Sequence, residues 1–147
     1  MLVTEGNFDQ CLADIIADQK VSLDTETTGL KVYKQDRLFA IIISTALEDY
    51  YFNFNDEPDH LGNKAPVILP RNLIPLIIGA VLKIKKVYKA NAKFDMGMLE
   101  KEFYPMETPL EWPEVHDVLV MARILHNDHQ SYSLDSVASR EGLVKLD

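Results

Sequence analysis

A β-branched, apolar run over residues 38–46, centred on Ile41-Ile42-Ile43, constrains the fold of this chain most strongly. Branched side chains fit the pleated surface of a strand better than they fit a helix. A strand exposed on one face would alternate apolar and polar residues, whereas a continuous run is typical of a strand that is covered on both faces. The run therefore predicts an interior strand of a sheet with helices packed around it.

The remaining pattern alternates loosely between strands and helices. Residues 7–18 place Phe8, Cys11 and Ile15 on one helical face, and Asn7 is a candidate N-cap. Further strands are predicted at 20–24, 49–55 and 86–90, and further helices at 71–82, 94–103, 115–125 and 134–140. This alternation predicts an α/β or α+β domain in which a sheet is flanked by helices.

Composition narrows the class of protein. A length of 147 residues suits one domain, and we expect a single domain over 1–147. One cysteine excludes an internal disulfide framework and fits a reducing, cytoplasmic compartment. No apolar run approaches the ~18 residues of a membrane span, so no membrane contact is predicted. The formal charge of −8 argues against coating DNA by bulk charge, but leaves open an enzyme that meets nucleic acid through bound cations.

Two carboxylates follow the first predicted strand. Asp24 and Glu26 are two residues apart, so an extended backbone points both side chains to the same side. Carboxylates held that close repel each other unless a cation or a proton intervenes. Hard oxygen ligands of this kind suit Mg²⁺ or Mn²⁺. Taken alone, the pair is equally a solvated strand end or a partner for surface lysines.

A third acid opens a predicted helix. Asp95 follows the strand at 86–90 and lies in the first helical turn, where the helix dipole favours a carboxylate. Asn91 could cap this turn or donate to a substrate. By itself this segment is also ordinary helix-start chemistry.

Together the two segments are more specific. The residues D-T-E-T-T-G-L at 24–30, followed about 70 residues later by N-A-K-F-D at 91–95, resemble the first two motifs of the DEDD 3′–5′ exonuclease superfamily. The similarity is greatest to the proofreading domain of family A DNA polymerases, and it continues into the helical segments at 117–125 and 132–138. The resemblance implies a ribonuclease-H-like fold, a mixed sheet flanked by helices.

The resemblance also implies roles for individual residues. Asp24, Glu26 and Asp95 match three of the four acids that hold two Mg²⁺ or Mn²⁺ ions, so they are the candidate catalytic residues and metal ligands. The substrate is then the 3′ end of single-stranded DNA, cleaved to nucleotide monophosphates. Positions that match substrate-contacting residues are Thr27, Leu30, Asn91, Lys93 and Phe94.

The fourth acid of the family has no counterpart in this chain. His129 and Asp135 have a suitable spacing, but they align with the preceding helix start, and Asp147 has neither a Tyr nor a His at the required upstream distance. We therefore expect the domain to be incomplete at its C-terminus. Three functions stay open: a proofreading exonuclease tethered to a DNA polymerase in a bacterial or phage-infected cell, a ribonuclease D-like RNA trimmer, and a catalytically impaired fragment that binds metal, nucleic acid or a partner.

Five lysines cluster between residues 83 and 93. The members of this basic cluster are Lys83, Lys85, Lys86, Lys89 and Lys93. Either they form a positive rim that attracts a phosphate backbone, or they are solvated charges on a helix end and a strand edge.

Overall fold

A mixed five-stranded sheet with β1 at its centre organises the protein. The computed structural model describes residues 1–32, 34–103 and 110–143. The elements in chain order are α1 (Phe8–Asp18), β1 (Lys20–Thr27), β2 (Leu38–Ser44), β3 (Asp49–Asn53), α2 (Ile74–Val81), β4 (Lys86–Lys89), α3 (Ala92–Phe103), β5 (Glu114–Asp117), α4 (Val118–Leu125) and α5 (Leu134–Arg140). The predicted sheet with flanking helices is confirmed.

The strand order is β3-β2-β1-β4-β5. β1 is antiparallel to β2 and parallel to β4, and β4 is in turn parallel to β5. The carboxyl ends of these three parallel strands therefore lie side by side at one edge of the sheet. Open sheets generally bind ligands in the crevice outside such strand ends.

The core lies on one face of the sheet, beneath α1, α2 and α3. Each of these helices contributes buried apolar side chains, among them Ile15, Ile77 and Leu99, and the sheet contributes Ile41 and Phe52. Burying a side chain of this size contributes ~1.5–3 kcal/mol. These three helices cover one face of β1. Every second residue of β1 points into this covered face, and the residues between them point to the opposite face.

The apolar run that predicted an interior strand forms β2, which lies between β1 and β3. Leu38, Ala40, Ile41 and Ile43 are fully buried. Ile41 and Ile43 pair with the core-facing Thr25 and Leu23, whereas Ala40 pairs with Glu26 and lies on the opposite face. Ile42, by contrast, is only partly buried, because its side of the sheet borders a cleft rather than a packed helix. Burial of the strand on both faces is thus only partly realised.

Two predicted helices differ from those observed. The helix predicted at 115–125 begins three residues late, at Val118, because Glu114–Asp117 pairs with β4 as the strand β5. The helix predicted at 71–82 starts with a 3₁₀ turn, Arg71–Leu73, and Pro75 then occupies the first turn of α2, where its missing N–H costs nothing. Asp147 lies outside the described residues. Within the described ranges, none of the helices has the length and apolar character needed to cross a bilayer.

Candidate active site

Strict alternation along β1 presents two acids on its open face. Val21, Leu23 and Thr25 point into the core, whereas Asp24 and Glu26 are exposed on the opposite face. The i, i+2 spacing thus has the geometric effect expected from the sequence. Burial and then the charge of Glu26 raise the pKa of the Tyr51 hydroxyl on β3.

The side chain of Lys89 is the structural centre of the site. It is completely buried at the end of β4, and its Nζ lies 3.0 Å from Asp24 Oδ1 and 2.8 Å from Asp95 Oδ1. Distances of this length are those of charge-assisted hydrogen bonds. One ammonium group therefore joins the acid of β1 to the acid of α3, which lies about 70 residues away in the sequence.

Asp95 lies in the first turn of α3 and is almost entirely buried, with 4 % of its surface exposed. Burial raises the pKa of its carboxyl group above the usual range, and the hydrogen bonds from Lys89 and Thr25 offset part of this rise. The Thr25 hydroxyl donates to Oδ1, the same oxygen that accepts from Lys89. The Oδ1 atom of Asp95 is therefore already engaged by two donors.

Asp117 positions the helix that carries Asp95. Its Oδ2 accepts from the backbone N–H of Ala92 at 2.8 Å, the first residue of α3. Its Oδ1 accepts from Leu119 at 3.0 Å and Val120 at 3.3 Å, so it also caps α4. A single carboxylate at the end of β5 thus satisfies free N–H groups of two helices.

We expect Asp117→Ala to lower the free energy of unfolding by about 2 kcal/mol, since each lost cap costs ~1 kcal/mol. Urea denaturation followed by circular dichroism measures this loss. Asp117→Asn keeps an acceptor oxygen and should lose less than half as much. A change below ~0.5 kcal/mol for the alanine variant would show that the two helix starts do not depend on Asp117.

The predicted substrate residue Thr27 ends β1, and Leu30 lies in the loop that follows it. The Thr27 hydroxyl donates to the Gly29 carbonyl at 2.9 Å, and Asp36 accepts from the backbone N–H of Lys31 at 2.8 Å. A Cβ atom at Gly29 would lie only 2.5–2.7 Å from the three carboxyl atoms of Asp36. A methyl group at this position would therefore push the Asp36 carboxylate out of its place.

Gly29→Ala should therefore destabilise the protein by about 1–2 kcal/mol, because the added methyl group displaces Asp36 and breaks its hydrogen bond to Lys31. The double variant Gly29→Ala/Asp36→Ala removes the obstruction. Its unfolding free energy should match that of Asp36→Ala alone, so the two effects are not additive. Full additivity in urea denaturation would contradict the proposed clash.

The structure distributes the other predicted substrate residues around this edge. Leu30 is 83 % exposed. Asn91 takes a left-handed backbone conformation, φ 56°, between β4 and α3, which asparagine tolerates better than most residues. On α3, Lys93 is exposed and Phe94 is partly buried. Asp24 and Asp95 are joined through Lys89, whereas no hydrogen bond from these four side chains to the acids is observed.

Two open cavities lie near this edge of the sheet, and one of them is lined by Asp24. One, of about 240 Å³, is lined by Asp24 and Lys89 together with Ile42, Tyr88 and the helix residues Val118 and Leu134. The other, of about 480 Å³, lies between Asn91 and α4. Asp24 is thus accessible from a cleft, whereas Asp95 lies beneath it.

The described residues do not fit the two-ion arrangement that the sequence implied. The oxygens of Asp24 and Asp95 that approach the same point are both bound to an ammonium group. Over residues 1–32, 34–103 and 110–143, His, Cys, Asp and Glu side chains form no group of three suited to hold a metal ion. The acids have the right ligand chemistry, but a lysine occupies the space between two of them.

Sequence reasoning missed three residues of this site. The sequence pattern grouped Lys89 with the basic cluster. Val87 and Lys89 occupy alternate positions of β4 and therefore share one face, and Val87 is buried. That alternation was the available signal that Lys89 points inward. Thr25 is the inward residue between the two acids, and Asp117 ends a strand that was predicted as a helix.

Several known proteins have a similar sequence or a similar fold. No protein-family profile matches the chain. The chain is 28% identical over 121 residues to "DNA polymerase DpoZ" of Salmonella phage PMBT28, a match that covers 82% of this chain and 17% of the polymerase.

Solved structures share the fold at low sequence identity. RNase D of Escherichia coli, an exoribonuclease involved in structured RNA processing, superposes with a TM-score of 0.67 at 16% identity, over 100% of this chain and 34% of that one. Pop2p of S. pombe, in its Mg²⁺ and Mn²⁺ bound form, superposes with a TM-score of 0.67 at 17% identity, over 99% and 82% of the two chains. The chain therefore has the ribonuclease-H-like fold of the 3′–5′ exonucleases, and it spans about a third of RNase D and a sixth of the phage polymerase.

Proposed function

We propose that this chain, which has the fold of the 3′–5′ exonucleases, is a single exonuclease domain acting on the 3′ end of single-stranded DNA. It hydrolyses the terminal phosphodiester bond, releases nucleotide monophosphates and depends on Mg²⁺ or Mn²⁺. The observation that carries this proposal is the approach of Asp24 and Asp95 to a common point at the edge where β1 and β4 end. Glu26, on the open face of β1, is the third catalytic candidate.

The position of the acids supports a reaction on a ligand that enters from the cleft. Asp24 has a side chain that is 65% exposed, although it binds Lys89. Its other carboxylate oxygen is therefore accessible to a cation or to water beside a nucleic-acid end. Asp95 is buried and holds the Lys89 ammonium from the side away from the cleft. A divalent cation bound at this edge would supply charge that polarises the phosphodiester and the attacking water.

Residues around the edge are suited to hold a single strand. Leu30 projects into solvent next to the loop after β1, where it can pack against a terminal base. The Thr27 hydroxyl stabilises that loop by donating a hydrogen bond to the Gly29 carbonyl. Asn91, Lys93 and Phe94 begin α3 on the other side of Asp95 and offer an amide, a positive charge and an aromatic ring to the strand.

Similarity to a phage DNA polymerase favours DNA as the substrate and a polymerase as the partner. Tethering would supply substrate to a domain whose net charge of −8 gives little affinity for DNA. The corresponding location is the cytoplasm of a phage-infected cell. RNA trimming is the second candidate, because the fold is shared with RNase D, an exoribonuclease.

A labelled-oligonucleotide assay tests the proposal and separates the candidates. The purified chain is incubated with 5′-labelled single-stranded DNA, or with RNA of the same sequence, in the presence of Mg²⁺ or Mn²⁺. We expect a ladder that shortens from the 3′ end of the DNA and is absent with Asp24→Ala. A ladder on RNA alone identifies an RNA trimmer. Binding of either strand without any ladder above the Asp24→Ala background overturns the enzymatic proposal.

A further inference from the structure

We propose that Lys89 is a built-in cation of this site. Its ammonium group holds the position between Asp24 and Asp95, so that divalent cations are excluded from that position and at most one can bind, on the open side of Asp24. This inference deepens the proposed exonuclease function and rests on it for the role of the acids. It departs from the pair of ions that the sequence motifs imply.

The Lys89 ammonium lies between the two acids. Nζ of Lys89 contacts Asp24 Oδ1 and Asp95 Oδ1 at 3.0 and 2.8 Å, and the lysine side chain has no exposed surface. A divalent ion between the two acids would need these same oxygens. β4 is parallel to β1, with Tyr88 opposite Ser22, so the backbone itself directs Lys89 to the level of the acids. The lysine therefore occupies this point because of strand register rather than through a flexible surface excursion.

The charges of the site also limit how many divalent cations it can hold. A buried ammonium is stable only if opposite charges and hydrogen-bond acceptors replace its lost hydration, and here two carboxylates do so. The three acids and Lys89 together carry a formal charge of −2. One divalent cation cancels that charge, whereas a second would leave the site positive beside an ammonium group. Repulsion between the ammonium and a neighbouring divalent ion therefore limits uptake to one.

The other lysines of the basic cluster differ from Lys89 in their exposure. Lys83, Lys85 and Lys93 are exposed, and Lys86 is partly exposed beside Glu114 at 3.5 Å. They are solvated charges near the site and do not occupy it. Lys89 therefore differs from its neighbours in burial and in its partners, and Lys83 offers a matched control for removing one positive charge.

Metal titration without nucleic acid tests the inference independently of cleavage. Free Mn²⁺ is measured by electron paramagnetic resonance during titration of the wild-type chain, Lys89→Met and Lys83→Met. We expect at most one Mn²⁺ per chain in the wild type and in Lys83→Met. Lys89→Met should bind one additional ion, or bind Mn²⁺ about ten-fold more tightly. Unchanged stoichiometry and affinity in Lys89→Met, or two ions in the wild type, would overturn the proposal.

A measurement on the wild type covers the case in which Lys89→Met does not fold. Lysine side chains are methylated reductively, and each site is quantified by mass spectrometry with and without saturating Mg²⁺. Lys89 should stay protected in both conditions, whereas Lys83 reacts in both. If Mg²⁺ raises the reactivity of Lys89 to that of Lys83, the metal displaces the lysine and the inference fails. Neither readout requires catalysis, so a chain that does not cleave DNA refutes the proposed function without affecting this result.

Discussion

Replacing Lys89 by methionine is expected to lower the free energy of unfolding by about 3–5 kcal/mol at neutral pH, the usual cost of removing one partner from a buried ion pair. Methionine is similar in length, so the space at the end of β4 remains filled. The cost arises at Asp95, which is buried and would lose its ammonium partner. Asp24 contributes little to the loss, because its side chain is 65% exposed and can be hydrated instead.

Protonation of Asp95 makes the loss of unfolding free energy in Lys89→Met depend on pH. Burial already raises the pKa of Asp95, and removal of Lys89 also removes two contributions that lower it. The folded variant therefore holds a proton at pH values where the unfolded chain has released it. The stability of the variant then rises as the pH falls from the raised folded-state pKa toward the unfolded value. The difference between wild type and Lys89→Met should accordingly be smaller at pH 5 than at pH 8.

Urea denaturation followed through the single tryptophan measures this effect. Trp112 donates to Glu100 at 2.7 Å, so its fluorescence should report on the contact between the segment before β5 and α3. The double variant Lys89→Met/Asp95→Asn removes the orphaned charge and should recover most of the lost stability. If the double variant is as unstable as the single one, the loss comes from packing around Lys89 and the ion pair is not its cause.

Substitution of Asp24 should abolish 3′-end cleavage, with a fall in rate of about 10²–10⁴-fold or more, the range expected when a positioned acid–base group is removed. Asp24 is the acid that both binds Lys89 and faces the cleft. Asp24→Asn keeps the shape and an acceptor for Lys89 but removes the charge, so it should be nearly as inactive as Asp24→Ala. Rates are measured from the initial shortening of 5′-labelled single-stranded DNA.

Two controls decide how such a loss is interpreted. Asp9→Ala removes an exposed carboxylate from the first turn of α1 and should cleave at the wild-type rate. The unfolding midpoint of Asp24→Asn in urea should stay close to that of the wild type, because Lys89 retains Asp95 as a partner. An Asp24→Asn chain that is folded and cleaves within about two-fold of the wild type would remove this residue from the catalytic set.

Local patterns predicted the fold well where one period dominated. The apolar run became β2, the helical face of Phe8, Cys11 and Ile15 became α1, and the alternation around Asp24 correctly placed the acids on one face of β1. Short elements were harder to predict. Glu114–Asp117 forms a strand because β4 offers it a parallel partner, and four residues carry too little periodicity to indicate this.

The sequence motifs indicated Asp24 and Asp95 as candidate site residues, but they did not indicate that Lys89 lies between them. Asp24 and Asp95 belong to recognisable motifs, whereas Lys89 has meaning only once β4 lies beside β1. A lysine in a run of lysines suggests solvent exposure, and only its inward position next to Val87 indicates otherwise. The sequence shows which residues carry a charge, but it does not show which of these residues the fold brings into contact.

The first three residues of the chain affect how this sheet meets other molecules. Leu2 forms a β-bridge with Tyr51. The Val3 N–H donates to the Tyr51 carbonyl at 3.0 Å, and the Tyr51 N–H donates to the Met1 carbonyl at 2.9 Å. These residues therefore cover the outer edge of β3. The amino group of Met1 also binds Glu48 at 2.9 Å. Covered or short edges protect a sheet from pairing with a second chain. At the opposite edge β5 has only four residues. Aggregation through strand addition is therefore disfavoured at both edges.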